Sequence, residues 1–86
     1  MNKQEAYNLS SEIRQKIKDA GFSFGGITGA NARAYMDAME LAIDEDPYSD
    51  PEHAIKVQVV YLFSNLRPRT PVQKELKKEM LAWAGS

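Results

Sequence analysis

The stretch of the chain richest in reactive groups lies between residues 37 and 52, which hold seven carboxylates and no basic residue. The seven are Asp37, Glu40, Asp44, Glu45, Asp46, Asp50 and Glu52. Carboxylate oxygens at alternate positions can bind calcium, but an EF-hand loop also needs a glycine at its sixth position and a glutamate at its twelfth. A loop beginning at Asp44 has Ser49 and Ile55 at those positions, so the stretch does not predict a calcium loop.

The residues available for catalysis or metal binding are few. His53 is the single histidine and the chain has no cysteine, so neither a zinc site nor a thiolate site is predicted. A carboxylate such as that of Glu52 beside a histidine can suit it to acid–base chemistry. However, no serine lies in a recognisable nucleophile motif, and 86 residues are short for enclosing a deep pocket. We therefore expect a protein without enzymatic activity, cofactor or metal ion, in which His53 is an exposed residue of a first helical turn.

Charge is distributed unevenly along the chain. Residues 1–36 have a net charge of +2, residues 37–52 of −7 and residues 53–86 of +4, which sum to −1. Polarised surfaces of this kind steer the approach of charged partners. Three acids, Asp37, Glu40 and Asp44, fall on one face of a predicted helix, opposite its apolar face. The pattern predicts a small regulatory or accessory protein that docks a charged protein partner through these three residues.

A second interpretation is DNA binding of the helix-turn-helix type. A glycine, an apolar residue and a threonine (residues 26–28) precede Asn31 and Arg33, whose side-chain types pair with adenine and guanine edges. Backbone phosphates would then be contacted by cations further along the chain, namely Arg67, Arg69 and Lys74. Against this interpretation, the acids at 37, 40 and 44 would repel phosphates along the same helix. The glycine-rich region does not match a phosphate-binding loop either, because the lysine that should follow such a loop is missing.

Four helices are predicted to carry these residues. The first, about Lys3 to Ala20, has apolar residues at spacings of three and four and ends at Gly21, which can adopt the left-handed conformation. A glycine-rich connection, residues 22–29, leads to a second helix capped by Thr28 or Gly29 and running to about Glu45. Its predicted apolar face comprises Ala32, Tyr35, Met36, Met39, Ala42 and Ile43.

The third helix has a strong start signal, because Asp50, Pro51 and Glu52 suit the N-cap, the first position and the first turn. It is predicted to run to about Asn65 or Leu66. Residues 55–63 also alternate between β-favouring and other types, as a strand would, but the capping signal favours the helix. The core face of the helix would consist of Ile55, Val59, Leu62, Phe63 and Leu66.

The fourth helix is predicted to begin at Thr70-Pro71 and to end at Gly85. Its expected core stripe is Val72, Leu76, Met80 and Trp83. Trp83 either anchors this helix to the rest of the domain or lies in a subunit interface. A homodimer through the fourth helix is therefore the first self-association model from the sequence.

Together these features predict one domain, residues 1–86, of the all-α class: a compact four-helix bundle or orthogonal array. The longest apolar run, residues 59–63, is too short to cross a membrane, and the first residues do not resemble a secretory signal. A cytoplasmic location without membrane association is the corresponding expectation.

Overall fold

The computed structural model describes residues 1–22 and 32–86, and in these ranges the chain forms four α-helices and no strand. The helices are α1 (Lys3–Asp19), α2 (Ala32–Glu45), α3 (Pro51–Asn65) and α4 (Pro71–Ala84). The prediction of an all-α, compact four-helix domain is confirmed. The predicted cap of the second helix at Thr28 or Gly29 lies outside the described residues, as does Asn31.

Side-chain caps fix the starts of three helices. The backbone N–H of His53 donates to Asp50 Oδ1 at 3.3 Å at the start of α3, and that of Gln73 donates to Thr70 Oγ1 at 3.2 Å at the start of α4. Each cap is followed by a proline in the first turn, as predicted. Helix α1 has a reciprocal capping box between Asn2 and Glu5, which satisfies two N–H groups at once.

The end of α1 forms a Schellman motif, which requires a left-handed residue after the last helical turn. Gly21 supplies it with a φ of +86°. Its N–H donates to Lys18 O at 3.0 Å, and the N–H of Phe22 donates to Ile17 O at 3.2 Å. The buried ring of Phe22 closes the motif against the core, so the predicted helix stop at Gly21 is confirmed.

The conflict over residues 55–63 is resolved in favour of helix. All of them belong to α3, and the buried residues recur at helical spacing: Ala54, Ile55, Val59, Leu62 and Phe63. The strand-like alternation includes Val57 and Tyr61, which lie on the outer side of the helix. Apolar residues therefore occupy both sides of α3, which explains why its sequence suits both patterns.

Neighbouring helices run antiparallel. Tyr7 near the start of α1 donates a hydrogen bond to Asp44 near the end of α2. Helices α2 and α3 are joined by a turn of five residues, 46–50. Lys56 Nζ near the start of α3 donates to Ser86 O, beyond the end of α4, at 3.1 Å. The end of α1, the start of α2, the end of α3 and the start of α4 thus lie at one end of the domain.

The core lies between all four helices and is centred on α3, which packs against each of the others. Among the described residues α2 and α4 are not in contact with each other. The fully buried large side chains are Ile13, Ile17, Met36, Met39, Ile43, Ile55, Val59, Leu62 and Phe63.

One predicted core position is wrong. Val72 of α4 is 63% exposed, and the buried positions of this helix are Gln73, Leu76 and Met80. Leu76 and Met80 are buried as predicted, so the core-facing stripe differs from the prediction only in the first turn, where Gln73 takes the place of Val72. Gln73 is accommodated in the core-facing row because its Oε1 accepts a hydrogen bond from the Arg69 N–H at 2.8 Å.

Candidate functional site

The three acids predicted to dock a partner lie together along α2, in a face that we call the acidic face (Asp37, Glu40 and Asp44). All three are exposed, but they border α1 and do not stand isolated on the outer side of the domain. Arg14 of α1 lies 3.5 Å from Asp37 and 3.4 Å from Glu40. Asp37 also lies 4.0 Å from Arg33, one turn earlier in α2.

Each carboxylate of the acidic face thus has a contact within the domain, that of Asp44 being the hydrogen bond from Tyr7. Exposed ion pairs contribute little, typically about 0–1 kcal/mol, so a basic partner can compete for the same carboxylates. The ion pairs of Arg14 could not be predicted from the sequence, because a contact between α1 and α2 depends on how the two helices pack.

An exposed leucine accompanies the acidic face. Leu41 is 56% exposed and lies one turn after Asp37 and one turn before Asp44 on the surface of α2. An apolar side chain with a polar rim is the usual arrangement at the centre of a protein–protein contact. The helical spacing leaves Leu41 out of the predicted apolar face of this helix, but the sequence alone did not single it out as part of a contact surface.

The remaining acids of the 37–52 stretch have varied local roles. Asp50 caps α3, and Glu52 lies 3.7 Å from Lys56 one turn later. Asp46 adopts a left-handed φ of 47° in the turn between α2 and α3. Within the described residues its Oδ1 is buried without a hydrogen-bond partner.

The fold gathers cations, together with the exposed acids Asp19 and Glu75, at the end of the domain where α1 ends and α4 begins. The end of α1 carries Lys18, the start of α2 carries Arg33, and the start of α4 carries Lys74. Between α3 and α4 lie Arg67 and Arg69. Of these five exposed side chains, Arg33 alone forms an ion pair with another residue of the described ranges.

His53 is exposed in the first turn of α3, as predicted. Its ring contacts the edge of the exposed Tyr48 ring, with centroids 4.7 Å apart and an interplanar angle of 85°. Within residues 1–22 and 32–86, no three potential metal ligands cluster together.

A groove of about 560 Å³ lies between the end of α1 and the start of α4. Ala20, Pro71, Val72 and Leu76 form its apolar surface, and carboxylates lie along its rim. The Lys16–Glu79 ion pair, at 3.5 Å, spans the two helices there. The groove can accept an apolar group, and its lining includes no cysteine, serine or histidine.

The fourth helix is anchored by its tryptophan. Trp83 is partly buried against the core, and Lys56 Nζ lies 5.4 Å from the centre of its ring, in cation–π range. This agrees with the first of the two roles predicted for Trp83.

The fold is an all-α four-helix domain, in which the acidic face adjoins the cations at the start of α2 through the Asp37–Arg33 pair. No protein-family model, curated protein or solved structure matches the chain. Among the described residues, no helix combines the length and hydropathy required to cross a bilayer.

Proposed function

We propose that this domain is a non-catalytic macromolecular-interaction module that docks a basic protein partner through the acidic face of α2. One observation carries the proposal: Leu41 is exposed beside three exposed carboxylates on the same helix. Burial of a leucine side chain contributes about 1.5–3 kcal/mol, and the surrounding charges orient the approach of the partner. This combination fits a small regulatory or accessory protein.

The test is affinity capture with the tagged domain from the native lysate, followed by mass spectrometry. Reversal of Asp37, Glu40 and Asp44 to lysine is expected to abolish capture of the partner, because the variant repels a basic surface. Leu41→Ala is expected to reduce capture at least tenfold at unchanged net charge, since it removes about 1.5–3 kcal/mol of apolar burial. Both variants should keep the helical circular dichroism spectrum.

A matched control reverses three exposed acids on other helices. These are Glu12 and Asp19 of α1 and Glu75 of α4. The control has the same net charge as the acidic-face variant and should retain capture. Equal capture of the same protein by the acidic-face variant and the wild type would contradict the proposal.

Nucleic-acid binding is the second candidate function, and the cations gathered at one end of the domain favour it. Arg67, Arg69 and Lys74 are exposed and form no ion pair with the rest of the described chain. Arg33 lies at the same end, at the start of α2, where the alternative interpretation requires it. Cations without intramolecular partners can neutralise phosphates at little internal cost.

For this second function we expect a gel shift with DNA duplexes of varied sequence at low salt. Replacing Arg67, Arg69 and Lys74 together by alanine should weaken binding and reduce the slope of log K against log salt by up to about 2.7, or about 0.9 for each phosphate that is no longer neutralised. Absence of any shift at low salt would remove this function, whatever the result of the capture experiment.

A further inference from the structure

Helix α3 has an outer surface without aspartate, glutamate, lysine or arginine, which we call the α3 strip (His53, Val57, Val60, Tyr61 and Ser64); Val57 is half-buried and the other four are exposed. The strip lies opposite the buried face of the helix. Tyr61 is 56% exposed and Val60 is 42% exposed. The exposed ring of Tyr48 extends the strip at its start through the contact with His53.

Two properties of the strip indicate a helical partner. Residues 53, 57, 60 and 64 are spaced alternately by four and three, which is the spacing of a coiled-coil seam. Between Lys56 and Arg67 the chain contains no charged residue. Surface helices usually place charged residues on their outer side, so this helix is unusual in keeping that side apolar.

The absence of acidic and basic side chains from the α3 strip indicates that a second copy of this chain is a suitable partner. In a two-fold symmetric contact each patch faces its own copy, so a patch with charge of one sign would repel itself. The α3 strip meets this requirement. The acidic face of α2 and the end of the domain that carries Arg67, Arg69 and Lys74 do not.

The charges beyond the strip fix the relative direction of the two helices. Asp50 precedes α3 and Arg67 follows it, roughly 25 Å apart along the helix at 1.5 Å per residue. In an antiparallel pair each Asp50 lies at the end where Arg67 of the second copy lies. A parallel pair would instead bring the two Arg67 side chains together.

We propose that the α3 strip is a self-association surface on which a second copy of this chain packs antiparallel, about a two-fold axis between Val57 and Val60. In this register Val57 faces Val60 of the second copy, and His53 faces Ser64 of the second copy. The surface of one helix is smaller than the roughly 800 Å² that each partner buries in a standard interface. The dimer is therefore weak and depends on protein concentration.

The first experiment is sedimentation equilibrium of the wild-type protein from micromolar to millimolar concentration. The weight-average mass should rise from 9.7 kDa toward twice that value. Val60→Asp should stay monomeric at every concentration, because it places two like charges at the axis. Val72→Asp is the matched control: the same substitution at an exposed valine of α4, which should leave the dimer intact.

A second experiment tests the predicted attraction between Arg67 of one copy and Asp50 of the other. Arg67→Glu should weaken the dimer at least tenfold, whereas Lys18→Glu, an equal change of charge at the end of α1, should alter it less than threefold. Circular dichroism confirms that each variant is folded. A wild-type mass of 9.7 kDa at the highest concentration, or dimerisation of Val60→Asp at wild-type strength, would overturn the proposal.

Cross-linking determines the direction of the helices. The chain has no cysteine, so a single introduced cysteine is unique. An equimolar mixture of ¹⁵N-labelled Val57→Cys and unlabelled Val60→Cys is expected to form the mixed disulfide in clear excess over random pairing. An excess of the two homodisulfides would show a parallel pair and would overturn the antiparallel model.

Discussion

Replacing Phe63 by alanine is expected to lower the free energy of unfolding by about 3–5 kcal/mol. Phe63 is fully buried on α3, which, like α1, packs against all three other helices. Removal of its ring leaves a cavity that this close-packed centre cannot fill completely. Because domains of this kind are stable by about 5–15 kcal/mol in total, the variant loses a large part of its stability.

Urea denaturation followed by circular dichroism measures this effect. The matched control is Tyr61→Ala on the same helix, whose ring is 56% exposed; we expect a change of less than about 1 kcal/mol. Both are measured at low micromolar concentration, where self-association is negligible. A similar loss of unfolding free energy in Phe63→Ala and Tyr61→Ala would show that α3 does not face the core with the side that carries Phe63.

The second large effect has the opposite sign: Ser10→Ala is expected to raise the free energy of unfolding by about 1–2 kcal/mol. Ser10 of α1 is 2% exposed, and its hydroxyl has no hydrogen-bond partner in the described part of the chain. An unsatisfied buried hydroxyl costs about 1–3 kcal/mol. Alanine removes that cost and is also the better helix former.

The neighbouring Ser11 provides the control, because it is exposed on the same helix. Ser11→Ala should yield only the gain in helix propensity, about 0.5 kcal/mol. The difference between the two midpoints of urea unfolding isolates the buried hydroxyl. Equal gains in both variants would show that the hydroxyl of Ser10 is satisfied in the folded protein.

Apart from the start of α2, whose predicted cap lies outside the described residues, the helix boundaries could be predicted from the sequence, since they depend on local chemistry. Asp50 and Thr70 cap their helices with their own side chains, and Gly21 adopts the left-handed conformation that ends α1. These signals act over a few residues and do not require knowledge of the packing. The same reasoning decided between helix and strand for α3, where the apolar pattern alone was ambiguous.

Which side of each helix faces its neighbours could be predicted less accurately than the helix boundaries. Val72 and Gln73 are adjacent in the first turn of α4, about 100° apart around its axis, and only Gln73 faces the core. The apolar pattern favoured Val72, yet the core contains Gln73, which is hydrogen-bonded to the Arg69 N–H. For the same reason the contact of Arg14 with the acidic face was not foreseen, since it joins residues 23 and 26 positions apart.

The α3 strip shows a related difficulty. The sequence placed a possible dimer contact on α4 through Trp83, which could instead anchor that helix to the domain. The structure uses that ring to hold α4 against the domain, with Lys56 above it. Two of the exposed large apolar side chains, Val60 and Tyr61, are adjacent on α3, where core residues and surface residues are of similar types.

The sizes of the helix–helix interfaces also bear on how the chain folds. The most extensive interface joins α2 and α3, neighbours linked by five residues, and the least extensive joins α1 and α4, at opposite ends of the sequence. Chains dominated by contacts between sequence neighbours fold in microseconds to milliseconds. Among the described helices that touch, α1 and α4 share the smallest interface and are the most distant in sequence, so we expect this interface to form late in folding and to open at low energetic cost. We therefore expect the groove between α1 and α4 to lie where the native domain separates most readily.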